Sequence, residues 1–461
     1  MVDKIFLSEI KKIVGEKGLI SGIDVAERKA GVWIENPIKA KVIVRPNNTM
    51  ELSRVLSLCN KLQQPVVPHG GLTGLVESAI TKEDEVVISS ERMVEIEEVD
   101  PIGRTLTAQS GVKLQTIQEK AEDKGMFFPL DLGARGSCTI GGNASTNAGG
   151  NRVIRYGMAR ELILGLEAVL ADGTVISSMN KMLKNNAGYD LKQIFIGSEG
   201  TLGIISRVVL RLREKPLSQN TALVAANSFK QVTALLKHID SGLGGNLTAF
   251  EVMWRDFYLL VTSPPANNKP PIDQKYHYYV LIEYCGSDQV IDDNHFNSIL
   301  DAALEKNLIE DAVVAKNEND CQKLWAIRDD VEQQFQYGPI KIFDVSLPIN
   351  CMEDYINEVR SRMSKYWDKF HCTVFGHLAD CNLHIITAVG SDDTEDIRLM
   401  EESVYEPLRA IRGSVSAEHG IGLEKKNYLS ISRTKEEVAL MKTLKNSLDP
   451  NNILNPGKVF G

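Results

Sequence analysis

The stretch GARGSCTIGGNASTNAGGN, residues 133–151, carries the strongest signal for how this chain folds. It combines closely spaced glycines with serine, threonine and asparagine, and a second such stretch, PHGGLTG, occupies residues 68–74. Glycine has no Cβ, so backbone N–H groups in such loops can converge on an anion, and the short polar side chains add donors. Two loops of this kind in one domain can hold a pyrophosphate without lysine or arginine. Neither loop matches the phosphate loop or the Rossmann glycine fingerprint, and simple turn building is the alternative for PHGGLTG.

The segments around these loops alternate between strand and helix patterns. A short apolar run starts at Lys41, a helical pattern follows, and PVV then leads into PHGGLTG. A helix is expected over 113–124, and Asp172-Gly173 is expected to be a hairpin turn. Composition changes after Lys215-Pro216. This order predicts an α+β protein with a domain boundary at that point.

Composition excludes several classes of protein. The chain has 461 residues, with 52 Lys+Arg against 61 Asp+Glu, and its net charge of −9 argues against binding a nucleic-acid backbone. Its seven cysteines are widely spaced without a CxxC, which favours reduced thiols in the cytoplasm, or in the mitochondrial matrix of a eukaryote. The first twenty residues form an amphipathic helical pattern instead of a signal peptide. No integral membrane segment is expected.

Two of the eight histidines share one motif, FGHLADCNLHIIT, at residues 375–387. If Asp380 and Cys381 form a two-residue hairpin loop, His377 lies directly opposite His384, with Cβ atoms about 4.5–5.5 Å apart. Asn382 would share their face of the sheet because side chains alternate along a strand. A tight turn of this kind would give residue 381 a positive φ angle.

A third histidine follows a glutamate in SVSAEHGIG, at residues 414–422. Together with the histidine pair, Glu418 and His419 could build a site for Zn²⁺ or another divalent ion that leaves coordination positions open. A buried or surface histidine without a function is the alternative for any one of the three.

Five motifs, in this order, resemble one known family. They are PHGGLTG, SCTIGGNASTNAGGNRVIRYG, GSEGTLGII, GHLADCNLH and SVSAEHGIG. They are similar to the vanillyl-alcohol oxidase (PCMH-type) FAD-binding proteins, and to their D-2-hydroxyacid dehydrogenase branch, which includes D-lactate and D-2-hydroxyglutarate dehydrogenases. The resemblance runs from about Ile38 to the C-terminus. It implies a helical segment over 1–37, a two-subdomain FAD-binding domain over 38–216, an α+β substrate domain over 217–410, and a helical segment over 411–461 that returns to the flavin.

The resemblance implies where FAD binds. Pro68–Gly74 would wrap the pyrophosphate, residues 136–150 would line the flavin and ribityl chain, Ile204 and Ile205 would touch the adenine end, and Asn455 would approach the isoalloxazine ring. His69 does not match the histidine that tethers FAD in some relatives, so FAD is expected to be non-covalent. The residues assigned to FAD are Pro68, His69, Gly70, Gly71, Leu72, Thr73, Gly74, Leu132, Gly136, Ser137, Cys138, Ile140, Gly141, Gly142, Asn143, Ser145, Thr146, Asn147, Gly149, Glu199, Gly200, Gly203, Ile204, Ile205 and Asn455.

The resemblance also assigns the chemistry. His377, His384 and Glu418 would bind the metal, with zinc the expected ion, and His419 would transfer the proton. Arg328, in LWAIRDD, would pair with the substrate carboxylate, because a guanidinium can bind a carboxylate with two hydrogen bonds. A surface arginine beside its two aspartates is the alternative. Asn382 completes the expected catalytic set.

Three positions depart from the family pattern. D-2-hydroxyglutarate dehydrogenases have a threonine where this chain has Glu332. They also have a lysine two positions before the Asp of the D-x-S-x-P motif, whereas Lys341 of this chain lies three positions before Asp344. Both family residues help to hold a second carboxylate, which favours a monocarboxylate such as D-lactate or D-mandelate here. D-2-hydroxyglutarate remains the alternative. Cys381 stands where the family usually has glycine.

These observations predict an FAD- and metal-dependent dehydrogenase that oxidises a D-2-hydroxy acid to the 2-oxo acid by hydride transfer to flavin N5. Electrons would pass to an electron-transfer flavoprotein, a quinone or a cytochrome. A homodimer is one oligomeric state that the sequence leaves open. A flavin-free metallohydrolase that uses the same histidines is one rival. A flavin-binding module without catalysis is another.

Overall fold

The computed structural model describes residues 4–32 and 34–460, and these form two compact units. The first unit comprises Met1–Gly149, Tyr156–Lys215 and Glu418–Gly461, and the second comprises Gly150–Arg155 and Pro216–Ala417. Each unit combines helices with sheets, so the predicted α+β class is confirmed. The returning C-terminal segment, expected from residue 411, belongs to the first unit from Glu418 onward.

The N-terminal part of the first unit is built around a four-stranded sheet. Its elements are α1 Lys4–Val14, β1 Leu19–Ser21, α2 Ile23–Ala26, β2 Lys29–Gly31, β3 Ile34–Pro37, β4 Val42–Val44, α3 Thr49–Lys61, β5 Val66–His69 and β6 Val86–Ser89. The strand order is β1-β4-β6-β5, and β6 runs parallel to both β4 and β5. Helix α1 buries Phe6, Ile10 and Val14, which its helical spacing places on one face. Three short strands follow this helix, and the first of them, β1, pairs with β4.

A five-stranded antiparallel sheet follows in the first unit, and of the elements around it only α6 has residues, 153–155, that belong to the second unit. The elements are β7 Ile96–Asp100, β8 Thr105–Gln109, α4 Leu114–Glu122, β9 Met126–Phe127, α5 Ile140–Thr146, α6 Val153–Tyr156, α7 Ala159–Leu162, β10 Ile163–Val169, β11 Val175–Ser178, α8 Lys192–Phe195, β12 Ile204–Arg211 and β13 Arg213–Glu214. The order is β11-β10-β12-β8-β7. Two predictions are confirmed: α4 lies within 113–124, and β10 and β11 form a hairpin whose turn contains Gly173 at φ +90°.

The second unit is a seven-stranded antiparallel sheet with helices. The elements are β14 Ser218–Ala226, α9 Phe229–Gly242, β15 Leu247–Trp254, α10 Arg255–Thr262, β16 Tyr278–Gly286, α11 Gln289–Glu305, β17 Asp311–Val314, α12 Glu318–Asp329, β18 Lys341–Ser346, α13 Met352–Met363, β19 His371–His377, β20 Asn382–Ala388 and α14 Thr394–Ala410. The order is β17-β14-β16-β15-β19-β20-β18. Strand β15 lies at the centre and is buried along its whole length.

The chain ends within the first unit. Helices α15 Leu429–Ser432 and α16 Lys435–Leu448 precede the segment that carries Asn455. The backbone N–H of Asn455 donates to the carbonyl of Val66 at 2.8 Å, so this segment runs beside β5. In the described part of the chain, no helix is both long enough and apolar enough to cross a bilayer. All seven cysteines carry free thiols.

Candidate active site

The two glycine-rich loops line one cavity in the first unit. Loop Pro68–Gly74 starts at the end of β5, and the other wall comes from α5, which begins after Thr139. Predicted FAD residues that line the cavity are Pro68, His69, Gly70, Gly71, Leu72, Thr73, Gly74, Leu132, Gly141, Gly142, Asn143, Ser145, Thr146, Gly149, Glu199, Gly200, Ile204, Ile205 and Asn455.

The remaining predicted FAD residues are not part of the cavity lining, and their contact with FAD stays a prediction. They are Gly136, Ser137, Cys138, Ile140, Asn147 and Gly203. Cys138 and Ile140 point into the apolar core of the unit. Asn147 ends α5 and accepts a hydrogen bond from the Arg160 backbone N–H at 2.9 Å. A run of small and polar residues does not reveal which members face a ligand and which serve the scaffold.

Close packing of the two loops requires glycine at their contact. A Cβ atom on Gly71 would lie 2.2 Å from the Ser137 carbonyl oxygen, and one on Gly70 would lie 2.6 Å from Thr139 Oγ1. Real Cβ atoms do not approach other atoms so closely. Gly74, at the far end of the same loop, has no atom within 4 Å of its Cβ position. The glycines at 70 and 71 therefore allow the loops to meet, whereas the one at 74 does not serve this purpose.

Two buried polar atoms in the cavity wall fit a polar cofactor. Ser110 Oγ and Asn455 Oδ1 are buried and have no hydrogen-bond partner within residues 4–32 and 34–460, while Asn455 Nδ2 donates to the Glu199 carbonyl at 2.8 Å. A buried polar atom left unpaired costs about 1–3 kcal/mol, so such atoms usually meet a ligand or water. The sequence analysis found Asn455 but missed Ser110, although Ser-Gly directly after a strand is the same type of signal as in the other loops.

His69 is part of the cavity wall and already has a partner. Its Nε2 lies 2.8 Å from the carbonyl oxygen of Ala79, and burial lowers the pKa of the imidazole to about 4. The ring is therefore neutral near pH 7, and Nε2 donates its hydrogen to that carbonyl.

Glu418 and His419 line the same cavity as the glycine-rich loops. The loop that carries them is held by Glu199, whose carboxylate accepts hydrogen bonds from the backbone N–H of Ile421 at 2.7 Å and of Gly422 at 2.9 Å. It also accepts one from Ser78 Oγ at 2.7 Å. A single buried carboxylate thus fixes the position of the His419 loop against the wall of the cofactor cavity.

In the second unit, His377 and His384 lie together, but not in the predicted register. Residue 384 pairs with Phe375 across β19 and β20, because a short 3₁₀ turn, Leu378–Asp380, lengthens the connection that was predicted as a two-residue hairpin loop. The register shifts by two positions, which keeps both histidines on one face. Their ring centroids are 5.3 Å apart. The adjacency was predicted correctly, and the direct pairing was wrong.

Arg328 is buried, not a surface arginine, and it shares a glutamate with His377. Its Nε donates to Glu251 Oε2 at 2.8 Å, and His377 Nδ1 lies 2.7 Å from Glu251 Oε1. Burial alone would raise the pKa of the Glu251 carboxyl, but its interactions with His377 and Arg328 outweigh burial and hold that pKa at about 2. The sequence analysis missed Glu251. Its signal is a single charge inside the apolar run LTAFEVMW.

Asp344 is a second buried carboxylate at the histidine cluster that the sequence analysis did not assign to the site. It lies opposite His384 in the β18–β20 register, and its Oδ1 accepts a hydrogen bond from Asn382 Nδ2 at 2.7 Å. Its Oδ2 accepts one from the backbone N–H of Ala417 at 3.0 Å. Asp344 therefore anchors the last residue of the second unit, Ala417.

Comparisons with known proteins show the family of this chain. The model described as "FAD binding domain" matches residues 40–178, and that described as "FAD linked oxidases, C-terminal domain" matches residues 215–459. The chain is 38% identical to mitochondrial D-2-hydroxyglutarate dehydrogenase of Arabidopsis thaliana, covering 98% of this chain and 81% of that protein. It is 36% identical to a putative mitochondrial D-lactate dehydrogenase of Schizosaccharomyces pombe, with 97% and 88% covered.

Solved structures support the fold. An alkyldihydroxyacetonephosphate synthase aligns with a TM-score of 0.76 at 19% identity, covering 98% of this chain and 86% of the other. A p-cresol methylhydroxylase aligns with a TM-score of 0.75 at 13% identity, with 98% and 96% covered. The resemblance drawn from the five motifs is thereby confirmed, and the chain belongs to the FAD-linked oxidase family, in which it is similar over nearly its whole length to D-2-hydroxyglutarate and D-lactate dehydrogenases.

Proposed function

We infer that this protein is an FAD-dependent D-2-hydroxyacid dehydrogenase, which oxidises the hydroxy acid to the 2-oxo acid. The observation that carries this inference is the cofactor cavity, which brings the glycine-rich loops and His419 together in one wall. The near full-length similarity to D-2-hydroxyglutarate and D-lactate dehydrogenases gives the same class.

The first unit holds the cofactor. FAD supplies a two-electron acceptor for the hydrogen at C2 of the substrate. The packed loops around Gly70 and Gly71 would hold its pyrophosphate, and the unpaired Ser110 Oγ and Asn455 Oδ1 would meet its polar groups. We propose that FAD is non-covalent, since the Nε2 of His69, the histidine nearest the glycine pair in sequence, is engaged with the Ala79 carbonyl.

Two histidines of the second unit are candidate ligands for a metal. We propose that His377, His384 and Glu418 bind a divalent ion, with zinc the first candidate. The ion supplies a Lewis acid for the substrate oxygens. Support comes from the donors themselves: two imidazoles on one face, and a buried carboxylate beside His377, which is the usual environment of a histidine ligand.

Other residues would bind the substrate and move its proton. Arg328 pairs with the substrate carboxylate, and Asn382, which donates a hydrogen bond to Asp344, belongs to the same catalytic set. His419 takes the hydroxyl proton, because an imidazole can act as a base near neutral pH. Its place in the wall of the cofactor cavity supports this role.

The substrate is proposed to be a monocarboxylate such as D-lactate or D-mandelate. Lys341, which is displaced by one position from the family lysine that holds a second carboxylate, pairs with Glu401 at 3.0 Å, on the face of β18 where Phe343 packs against Tyr405 of α14. Asp344 lies on the opposite face because side chains alternate. The face of β18 that carries Asp344 also carries Ile342, which lies directly across from Ile386.

D-2-hydroxyglutarate is the second candidate. The specific observation in its favour is the 38% identity to dehydrogenases of that name from plants and animals. Steady-state kcat/KM with D-lactate, D-mandelate and D-2-hydroxyglutarate decides between the two. A higher value for D-2-hydroxyglutarate than for both monocarboxylates would contradict the preferred substrate.

The setting of the enzyme is proposed from its relatives. If the chain is eukaryotic, we propose the mitochondrial matrix, since the plant, yeast and mammalian relatives are named as mitochondrial. Otherwise we propose the cytoplasm. The electron acceptor is proposed to be an electron-transfer flavoprotein, a quinone or a cytochrome, and a homodimer is one assembly to test by light scattering.

The rival classes give different results with purified protein. The dehydrogenase is yellow, releases FAD on denaturation and loses its flavin absorbance when a D-2-hydroxy acid is added without oxygen. Colourless protein that contains metal but no flavin would support the metallohydrolase. Bound FAD that no hydroxy acid reduces would support a binding module.

A further inference from the structure

Glu251 is a charged residue in the most buried strand of the second unit. Every residue of β15 is buried, and the side chain of Glu251 is 1% exposed. Removing a carboxylate from water costs several kcal/mol unless charged partners and hydrogen bonds compensate for it. Its partners therefore indicate what this carboxylate does.

Each oxygen of the carboxylate has its own partner, and both partners come from other elements. Oε1 faces Nδ1 of His377, which lies directly across from Glu251 in the β15–β19 register. Oε2 accepts a hydrogen bond from Nε of Arg328 in the last turn of α12. The glutamate thus links the two groups proposed to hold the metal and the substrate carboxylate.

This arrangement fixes the chemistry of both partners. A carboxylate can only accept, so His377 carries its hydrogen on Nδ1, and Nε2 is the nitrogen with a lone pair. Arg328 uses Nε for Glu251, and its Nη2 lies 3.3 Å from His377 Nε2. Glu251 therefore orients the lone pair of His377 Nε2 and the terminal nitrogen of the Arg328 guanidinium toward each other.

We propose that Glu251 is a positioning residue that aligns the metal-binding nitrogen of His377 with the guanidinium of Arg328, so that metal binding and substrate carboxylate binding depend on one buried carboxylate. The proposal rests on the proposed function, because it takes the metal and the hydroxy acid as the ligands. Glu251 itself touches neither.

Glu251→Gln is the informative substitution. A glutamine has nearly the same shape, but its NH₂ group would face a donor, either His377 Nδ1–H or Arg328 Nε–H, whichever way the amide is turned. One of the two alignments is lost in either orientation. Glu283→Gln is the matched control, because Glu283 is equally buried in neighbouring strand β16 and contacts Gln219 and Trp325 instead.

The experiment uses the full-length flavoprotein after its metal is removed with a chelator. Zn²⁺ alone is titrated calorimetrically into the parent and both variants, and KM for D-lactate is measured after reloading. We expect Glu251→Gln to weaken Zn²⁺ binding about 10–100-fold, as is typical for partners of metal ligands, and to raise KM. FAD content should stay at the parent level in both variants. Zn²⁺ affinity and KM within twofold of the parent overturn the proposal, as do equal losses in Glu283→Gln.

Arg328→Lys provides a second test if Glu251→Gln does not yield folded flavoprotein. Lysine keeps the positive charge but has no guanidinium group, and therefore no Nε–H that could donate to Glu251. The contact between Glu251 and His377 is kept. KM should rise at least tenfold with Zn²⁺ affinity nearly unchanged, and an unchanged KM overturns the proposal. If the proposed metal site is wrong, the parent protein itself binds no Zn²⁺. In that case the KM of Glu251→Gln for D-lactate, compared with that of the parent, tests the link between Glu251 and Arg328.

Discussion

At the scale of single residues, Cys381 has a strained backbone conformation that the sequence already indicated. Its φ angle is +71°, in the left-handed region that the sequence analysis predicted for this turn and that favours glycine. Cys381→Gly should therefore be tolerated or raise the free energy of unfolding by about 0.5–1 kcal/mol. Urea denaturation measures the change.

Cys351→Gly is the control, because Cys351 has an ordinary φ of −100° at the start of α13. Glycine there should lower stability, since it only adds freedom to the unfolded chain. A loss of more than about 2 kcal/mol in Cys381→Gly would instead show that the thiol is needed for packing.

His419 is the residue on which proton transfer depends. His419→Gln should keep FAD and metal but slow flavin reduction by about 10²–10⁴-fold, the usual effect of losing a general base. Anaerobic stopped-flow measurement at saturating hydroxy acid gives the rate. His295→Gln, an exposed helix histidine, should reduce at the parent rate. An unchanged rate in His419→Gln would remove this residue from the mechanism.

At the scale of elements, the contact between the two glycine-rich loops decides cofactor binding. Gly71→Ala puts a Cβ atom 2.2 Å from the Ser137 carbonyl oxygen, which forces the loops apart, whereas Gly74→Ala meets no atom within 4 Å. Protein with Gly71→Ala should purify with little FAD, and Gly74→Ala with a full complement. Absorbance at 450 nm relative to 280 nm measures the content. Full FAD in Gly71→Ala would show that this contact does not shape the cavity.

The loops were readable from sequence because glycine and small donors leave a local pattern, whereas contacts between distant segments leave none. Strand alternation correctly predicted that His377 and His384 share a face, but the 3₁₀ turn between their strands changed the pairing by two residues. Glu251 and His377 are 126 residues apart in sequence, so their contact depends on sheet order. Ser110 was missed because it lies outside the two glycine-rich stretches from which the cofactor loops were predicted.

At the scale of the whole molecule, the cofactor and the histidine pair belong to different units. The FAD cavity lies in the first unit, and His377 and His384 lie in the second. His377→Ala should therefore abolish metal binding and activity while FAD content stays at the parent level. His371→Ala, an exposed position on the same strand, should change neither. Metal analysis beside flavin absorbance checks this, and full metal occupancy or a loss of FAD in His377→Ala would contradict it.

The central claim is that a D-2-hydroxy acid gives its C2 hydrogen to FAD held in the first unit. The most direct measurement is anaerobic stopped-flow reduction of the bound flavin by each enantiomer of lactate, mandelate and 2-hydroxyglutarate. The account predicts fast loss of the 450 nm band with at least one D enantiomer, and with a D-monocarboxylate first, while its L partner is at least a hundredfold slower. Equal rates with both enantiomers, or no reduction by any of the six acids, would contradict it.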